Sequence, residues 1–174
     1  MVTPKAQAAS YEGTPDTLAI QGILKAHHSP LPWWTIAAFA EAHPDFDIAG
    51  YLTIMWCESS LGTTGGSHTY NNPGNIKHRA GGKEIWHTLA GGNKWWCAGQ
   101  GWYNVYPDVY TGQRAGIRLI YEWGYNAALA AHDWDGFAAR YYGANVPGLA
   151  KYTAGLEAAH RLIVREAAKY GTAW

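Results

Sequence analysis

Glu58 closes a long uncharged run of sequence, and that position gives it chemistry. The segment from Ile48 to Cys57 contains no charged residue, which predicts a helix buried nearly all round. Asp47 supplies an N-cap, and Phe46 and Tyr51 stand where a hydrophobic staple forms. Gly62 suits the position just past the helix, which puts Glu58 in the last turn. On helical periodicity Glu58 shares a face with Tyr51, Ile54, Met55 and Leu61. Desolvation and the negative end of the helix dipole both disfavour its ionised form. A carboxylic acid that keeps its proton near neutral pH is what general-acid catalysis requires, and glycoside cleavage is the commonest chemistry that uses one. The plainer alternative is a helix-end Glu that reaches solvent.

The aromatic residues are the second signal. Trp 10 and Tyr 12 stand against Phe 3, and Trp56, Trp86, Trp95, Trp96 and Trp102 all fall in the stretch that begins with the Glu58 helix and runs to Tyr106. A flat apolar ring with a polar edge suits stacking on the C–H face of a sugar, although each Trp also fits the core of a small domain. Trp95 and Trp96 are the better binding candidates, because neighbouring strand residues face opposite ways and at least one of them should be exposed. His27, His28, His68, His78 and His87 lack metal-site spacing, so no metal or other cofactor is expected. Ser59 and Ser60 lack the context of a nucleophile elbow. Cys57 and Cys97 leave two readings open, a disulfide or two separate buried thiols. The first requires Cα atoms about 4.4–6.8 Å apart.

Glu58-Ser59-Ser60-Leu61-Gly62-Thr63 runs on to Asn71-Asn72-Pro73-Gly74-Asn75-Ile76-Lys77. The pair resembles the lysozyme-like cell-wall glucosaminidases (glycoside hydrolase family 73). There a helix ends in Glu-Ser-x-x-Gly, followed by an Asn-Asn-apolar-x-Gly-Ile-Lys loop that lines the cleft. Tyr103-Asn104-Val105-Tyr106-Pro107 is similar to the family's aromatic-x-x-Tyr strand, and Gln113-Arg114-Ala115-Gly116-Ile117 to the opening of its next helix. The resemblance covers roughly residues 45 to 155. Pro73-Gly74-Asn75 departs from the family's apolar-apolar-Gly, which predicts a less greasy loop wall.

This resemblance implies a peptidoglycan hydrolase with Glu58 as proton donor, and Asn71, Asn72, Trp95, Trp96, Trp102 and Tyr106 as substrate-binding residues. Glu84 is the only acidic residue between Ser59 and Tyr106. It matches the acidic residue that family members often carry on the β-hairpin, where it would activate water. A surface charge on an edge strand is the other reading. Tyr152 falls where the family's downstream cleft Tyr stands, although it also fits the apolar seam of its own helix. The Asp that often follows the preceding Tyr is missing after Tyr141-Tyr142. Without Glu84, the substrate's own 2-acetamido group would serve as nucleophile, with a Tyr beside it.

The elements that must hold these residues read as an α+β fold, mainly helical, with a small antiparallel β-hairpin lobe: the lysozyme-like plan. At 174 residues a single domain is expected over 14–174, with 1–13 loosely structured. Helices are predicted over about 14–27, 34–42, 111–131, from 133 or 135 to 142, and 149–170, besides the one that carries Glu58. Lys83–Thr88, Lys94–Cys97 and Gly101–Tyr106 read as a hairpin sheet turning at 90–93. Net charge is zero, which leaves no electrostatic footprint for nucleic acid or an anionic membrane, and a monomer is expected. The first ten residues lack the apolar centre of a secretion signal. An enzyme of the bacterial wall would then arrive as a phage lysin, on a phage tail or as a trimmed secreted domain. Three classes compete: a glucosaminidase-like hydrolase, a lytic transglycosylase on the same fold, and a non-catalytic wall-binding module.

Overall fold

The computed structural model describes residues 13–174, so the expectation of a loose segment at 1–13 lies outside the described residues except for Gly13. The fold is α+β and mainly helical, with one two-stranded antiparallel sheet. In chain order the elements are α1 (Pro15–Ala26), α2 (Trp33–Ala42), α3 (Ile48–Ser59), α4 (Gly65–Tyr70), α5 (Ile85–Thr88), β1 (Lys94–Cys97), β2 (Gly101–Asn104), α6 (Val109–Glu122), α7 (Asn126–Ala130), α8 (Trp134–Ala138), a π-helical turn (Ala139–Gly143) and α9 (Leu149–Ala168).

Helix α3 forms the centre because its sequence allows no other place. Every residue from Ile48 to Met55 is buried. Asp47 caps its start by accepting from the Gly50 N–H at 2.9 Å, and the Phe46 and Tyr51 rings meet at 5.7 Å as the staple requires. Helix α9 packs on α3 and also on α1 and α8. Its seam of Leu156, Ala159, Ile163 and Ala167 is buried throughout, as a helical stripe facing a core must be. Ile20, Ile36, Leu52, Ile117 and Phe137 complete one continuous core.

Two expectations are corrected. Lys83–Thr88 is not a strand. Glu84 precedes the short helix α5, and its carbonyl accepts from the N–H groups of His87 and Thr88. The free edge of β2 is already taken by the chain at 76–78: Asn104 donates to the Ile76 carbonyl, and His78 donates to that of Trp102. The partner that such a strand would need is β1, and the chain coils into α5 instead of pairing with it. The helix read over 111–131 starts earlier, at Val109 behind the Asp108 cap, and breaks after Glu122. There Gly124 takes a φ of 75°, and the Arg140 guanidinium donates to the carbonyls of Trp123 and Gly124. Those bonds satisfy acceptors that a continuing helix would have used. Helix α4 was not expected, since Gly65–Tyr70 is composed of turn-formers.

Candidate active site

The end of α3 is fixed by side chains on both sides of it. Ser60 leaves the helix with a φ of 48°. Ser59 is buried; its hydroxyl lies 2.8 Å from the Pro73 carbonyl and accepts the Gly62 N–H. One residue therefore ties the helix end to the loop that follows. In that loop Asn72 is buried and fully used: Oδ1 accepts the Ile76 N–H, and Nδ2 donates to the carbonyls of Ile76 and Asn104. Asn71 adopts a φ of 55° and donates to the Tyr106 carbonyl at 3.1 Å. Both asparagines shape the loop and neither lines the cleft.

What the loop delivers is Asn75. Its Nδ2 lies 2.6 Å from the Glu58 carbonyl oxygen and 3.2 Å from Glu58 Oε2. From the other side of the molecule, the Tyr152 hydroxyl on α9 donates to Glu58 Oε1 at 2.7 Å. Each carboxylate oxygen thus has its own donor. Glu58 is half-buried at the floor of a cleft of about 740 Å³. Desolvation pushes its pKa above the ordinary carboxylate range, while the bonds from Tyr152 and Asn75 pull in the other direction. The result is a positioned acid.

The walls of this cleft are aromatic and polar. Tyr103 enters from β2, Trp123 from the end of α6, and Tyr142 from the π-helical turn. Tyr142 lies on Tyr152, with ring centroids 4.9 Å apart and planes 14° from parallel. Tyr141 is half-buried, and its hydroxyl donates to the Gly74 carbonyl at 2.9 Å. A π turn shifts register by one residue, which lets consecutive tyrosines serve the cleft and its support; such turns gather at functional sites. Opposite stand Lys77, His78, Arg79 and His87.

Several predicted site residues lie elsewhere. Glu84 lines no part of the cleft; its carboxylate is paired with Arg79, which does. Its own backbone N–H, before Arg79, holds its pKa below the usual range, so it is ionised. Glu58 is the only carboxylate among the described lining residues. Trp95 stacks on Tyr70 at 4.6 Å. Trp96 and Trp102 sit 5.2 Å apart on the opposite face of the hairpin, exposed, with the Lys94 ammonium 4.8 Å above the Trp102 ring. Alternation along β1 had implied one exposed Trp of the adjacent pair, and Trp96 is that one. Tyr106 is buried, with its hydroxyl donating to the Trp86 carbonyl at 2.7 Å. Of the predicted set, Glu58 and Tyr152 come together. Asn75, Tyr103, Tyr141, Tyr142 and Trp123 were missed.

Both cysteines are free, so of the two readings the disulfide is not the one found. Cys57 packs on the core beside Glu58, whereas Cys97 forms the last pair of the hairpin opposite Gly101. The cleft, with Gly99 and Gln100 on its far wall, opens between the two elements. Among the described residues no His, Cys, Asp or Glu cluster is built to hold a metal ion, and no helix is long and apolar enough to cross a membrane.

The chain matches no family model, no curated protein and no solved structure. The chemistry of the cleft therefore rests on its own geometry.

Proposed function

We propose that this chain is a lysozyme-like peptidoglycan hydrolase that cuts a β-1,4 glycosidic bond next to N-acetylglucosamine, with Glu58 as the general acid. One observation carries the reading. A desolvated carboxyl with a donor on each oxygen stands at the floor of an aromatic-walled cleft large enough for several sugar rings. Desolvation raises the Glu58 pKa, which favours the protonated form that a general acid requires. Tyr103, Trp123 and Tyr142 offer flat faces for the sugar C–H surfaces.

The single carboxylate favours participation by the substrate. As Glu58 gives its proton to the leaving oxygen, the carbonyl oxygen of the neighbouring 2-acetamido group attacks C1, and the C1–O bond breaks. Water then opens the cyclic intermediate, returning its proton to Glu58. Attack by the sugar's own 6-hydroxyl would instead give the anhydro end of a lytic transglycosylase. The same observation thus supports a second reading, and the two differ only in the final nucleophile.

Digestion of purified cell walls tests the proposal. Hydrolysis releases reducing ends that borohydride labels, whereas the anhydro product stays unlabelled. Absence of both products, with folded protein, would leave a wall-binding module.

A further inference from the structure

Asn104 is fully buried on β2, and its amide joins two histidines that line the cleft. Its orientation follows from a neighbour that only accepts. Asn104 Nδ2 lies 3.2 Å from the Trp86 carbonyl and 3.2 Å from Tyr106 Oη, whose own hydrogen goes to that carbonyl. The atom facing these two acceptors must be the NH₂. The remaining contacts are then fixed. Asn104 Oδ1 lies 3.1 Å from His78 Nδ1, and Asn104 Nδ2 lies 3.2 Å from His87 Nδ1.

An amide oxygen brings no hydrogen, so His78 carries its own on Nδ1, and in the neutral ring it is then Nε2 that holds the lone pair. The NH₂ donates to His87 Nδ1, so His87 carries its hydrogen on Nε2. One buried amide has set the two rings in opposite tautomers. Both Nδ1 atoms are taken up by buried Asn104, and both residues line the cleft, which leaves the Nε2 atoms as the ones available to a ligand there. Gly82 makes the approach possible, since a Cβ there would stand 2.6 Å from His87 Cδ2. Burial holds the His87 pKa below its ordinary value, which keeps this ring neutral near neutral pH.

We propose that His78 and His87 form a paired reader for a secondary amide of the substrate. His78 Nε2 accepts the amide N–H, and His87 Nε2–H donates to the amide carbonyl. The inference rests on reading the cleft as a glycan site. Two parts of peptidoglycan supply such an amide, the 2-acetamido group of the sugar and the stem peptide.

The test joins a structural readout to a binding one. Long-range ¹H–¹⁵N spectra of the imidazoles at neutral pH are expected to show the Nδ1–H tautomer for His78 and the Nε2–H tautomer for His87; the reverse would overturn the proposal. Calorimetry in a Glu58→Gln background then compares a chito-oligosaccharide, the cello-oligosaccharide of the same length, and a sugar-free stem peptide. The acetamido source predicts the chito-oligosaccharide about tenfold or more tighter than the cello form, equivalent to ~1.4 kcal/mol. That ratio should collapse in His87→Ala and in His78→Ala, and return in His87→Gln, which restores a donor. If only the stem peptide binds, and does so through the histidines, the amide reader stands with the peptide as its source. A chito-oligosaccharide that the Glu58→Gln protein binds with a ratio indifferent to both histidines, and that the wild type cuts, would sink this inference and leave the enzyme reading intact. No binding by the variant and no cleavage by the wild type would sink both.

Discussion

Tyr152 donates its hydroxyl to Glu58 Oε1 at 2.7 Å, joining the last long helix to the end of the central one. The bond orients the carboxyl, and it favours the charged form of a group that burial drives the other way. Asn75 does the same at Oε2 from the loop. The acidity of Glu58 is therefore set by opposition. The apolar end of α3 raises its pKa, and two donors from distant parts of the chain limit the rise.

Replacing Glu58 with Gln should remove activity and leave the fold intact. Gln keeps the shape and can still accept from Tyr152, but it carries no transferable proton. Loss of general-acid catalysis costs about 10²–10⁴-fold in rate. Stability should be unchanged or higher, with a definite pH dependence. A carboxyl whose folded pKa is raised is accommodated at low pH and costs the folded state once pH rises through that pKa. The gain in melting temperature should thus be larger at about pH 8 than at about pH 4. Cell-wall turbidity assays and thermal melts read the two effects; more than a few per cent residual activity would reject Glu58 as the acid.

Tyr152→Phe should move the alkaline limb of the pH–rate profile upward. Removing the hydroxyl takes away a donor that favours ionised Glu58, so the carboxyl holds its proton to a higher pH. The maximal rate should fall about tenfold, since an acid that has lost its orientation spends less time in the reactive geometry. A limb that moves downward, or does not move, would show that Tyr152 only packs against Tyr142.

Glu84→Gln should leave turnover within about threefold of wild type, because Glu84 lies outside the cleft and binds Arg79. Its depressed pKa assigns it a small stabilising role above the ordinary carboxylate range, fading as pH falls through the folded value. A loss on the order of 10²-fold, with an unchanged melt, would instead restore Glu84 as a water-activating base.

The helices were legible where local signals decide them. Asp47, Phe46 and the uncharged run fixed α3, and a three-and-four spacing fixed α9. The site was half legible, for a reason visible at position 75. The resemblance has Gly where this chain has Asn75, and Asn75 adopts a φ of 47°. That left-handed conformation suits Gly or Asn and few others. The departure read as a change in wall polarity is what brings a donor to Glu58. Tyr152 was found by order along the chain. Tyr141 and Tyr142 were not, because a π turn has no signature in side-chain periodicity. Glu84 was misplaced because Ile85, Trp86 and Thr88 suit a strand, whereas the chain closes there into α5, with the Glu84 carbonyl accepting from the N–H groups of His87 and Thr88.

The two thiols should differ sharply in reactivity. Burial, with the neighbouring Glu58 charge second, pushes the Cys57 thiol up to about 12. Its thiolate fraction is then about 10³-fold below that of an ordinary cysteine at any pH well under that value. Cys97 is half-buried at the end of the hairpin. Titration of the folded protein with an aromatic disulfide reagent should consume one thiol promptly, and denaturant should release the second. At an alkaline pH where Glu58 has lost its proton, Glu58→Gln removes that negative charge, so Cys57 should react somewhat faster in the variant there, which gives an independent measure of how closely the two side chains are coupled. Denatured protein that consumes no reagent until a reductant is added would mean that Cys57 and Cys97 are bonded after all, and that the hairpin closes over α3 further than this structure has it.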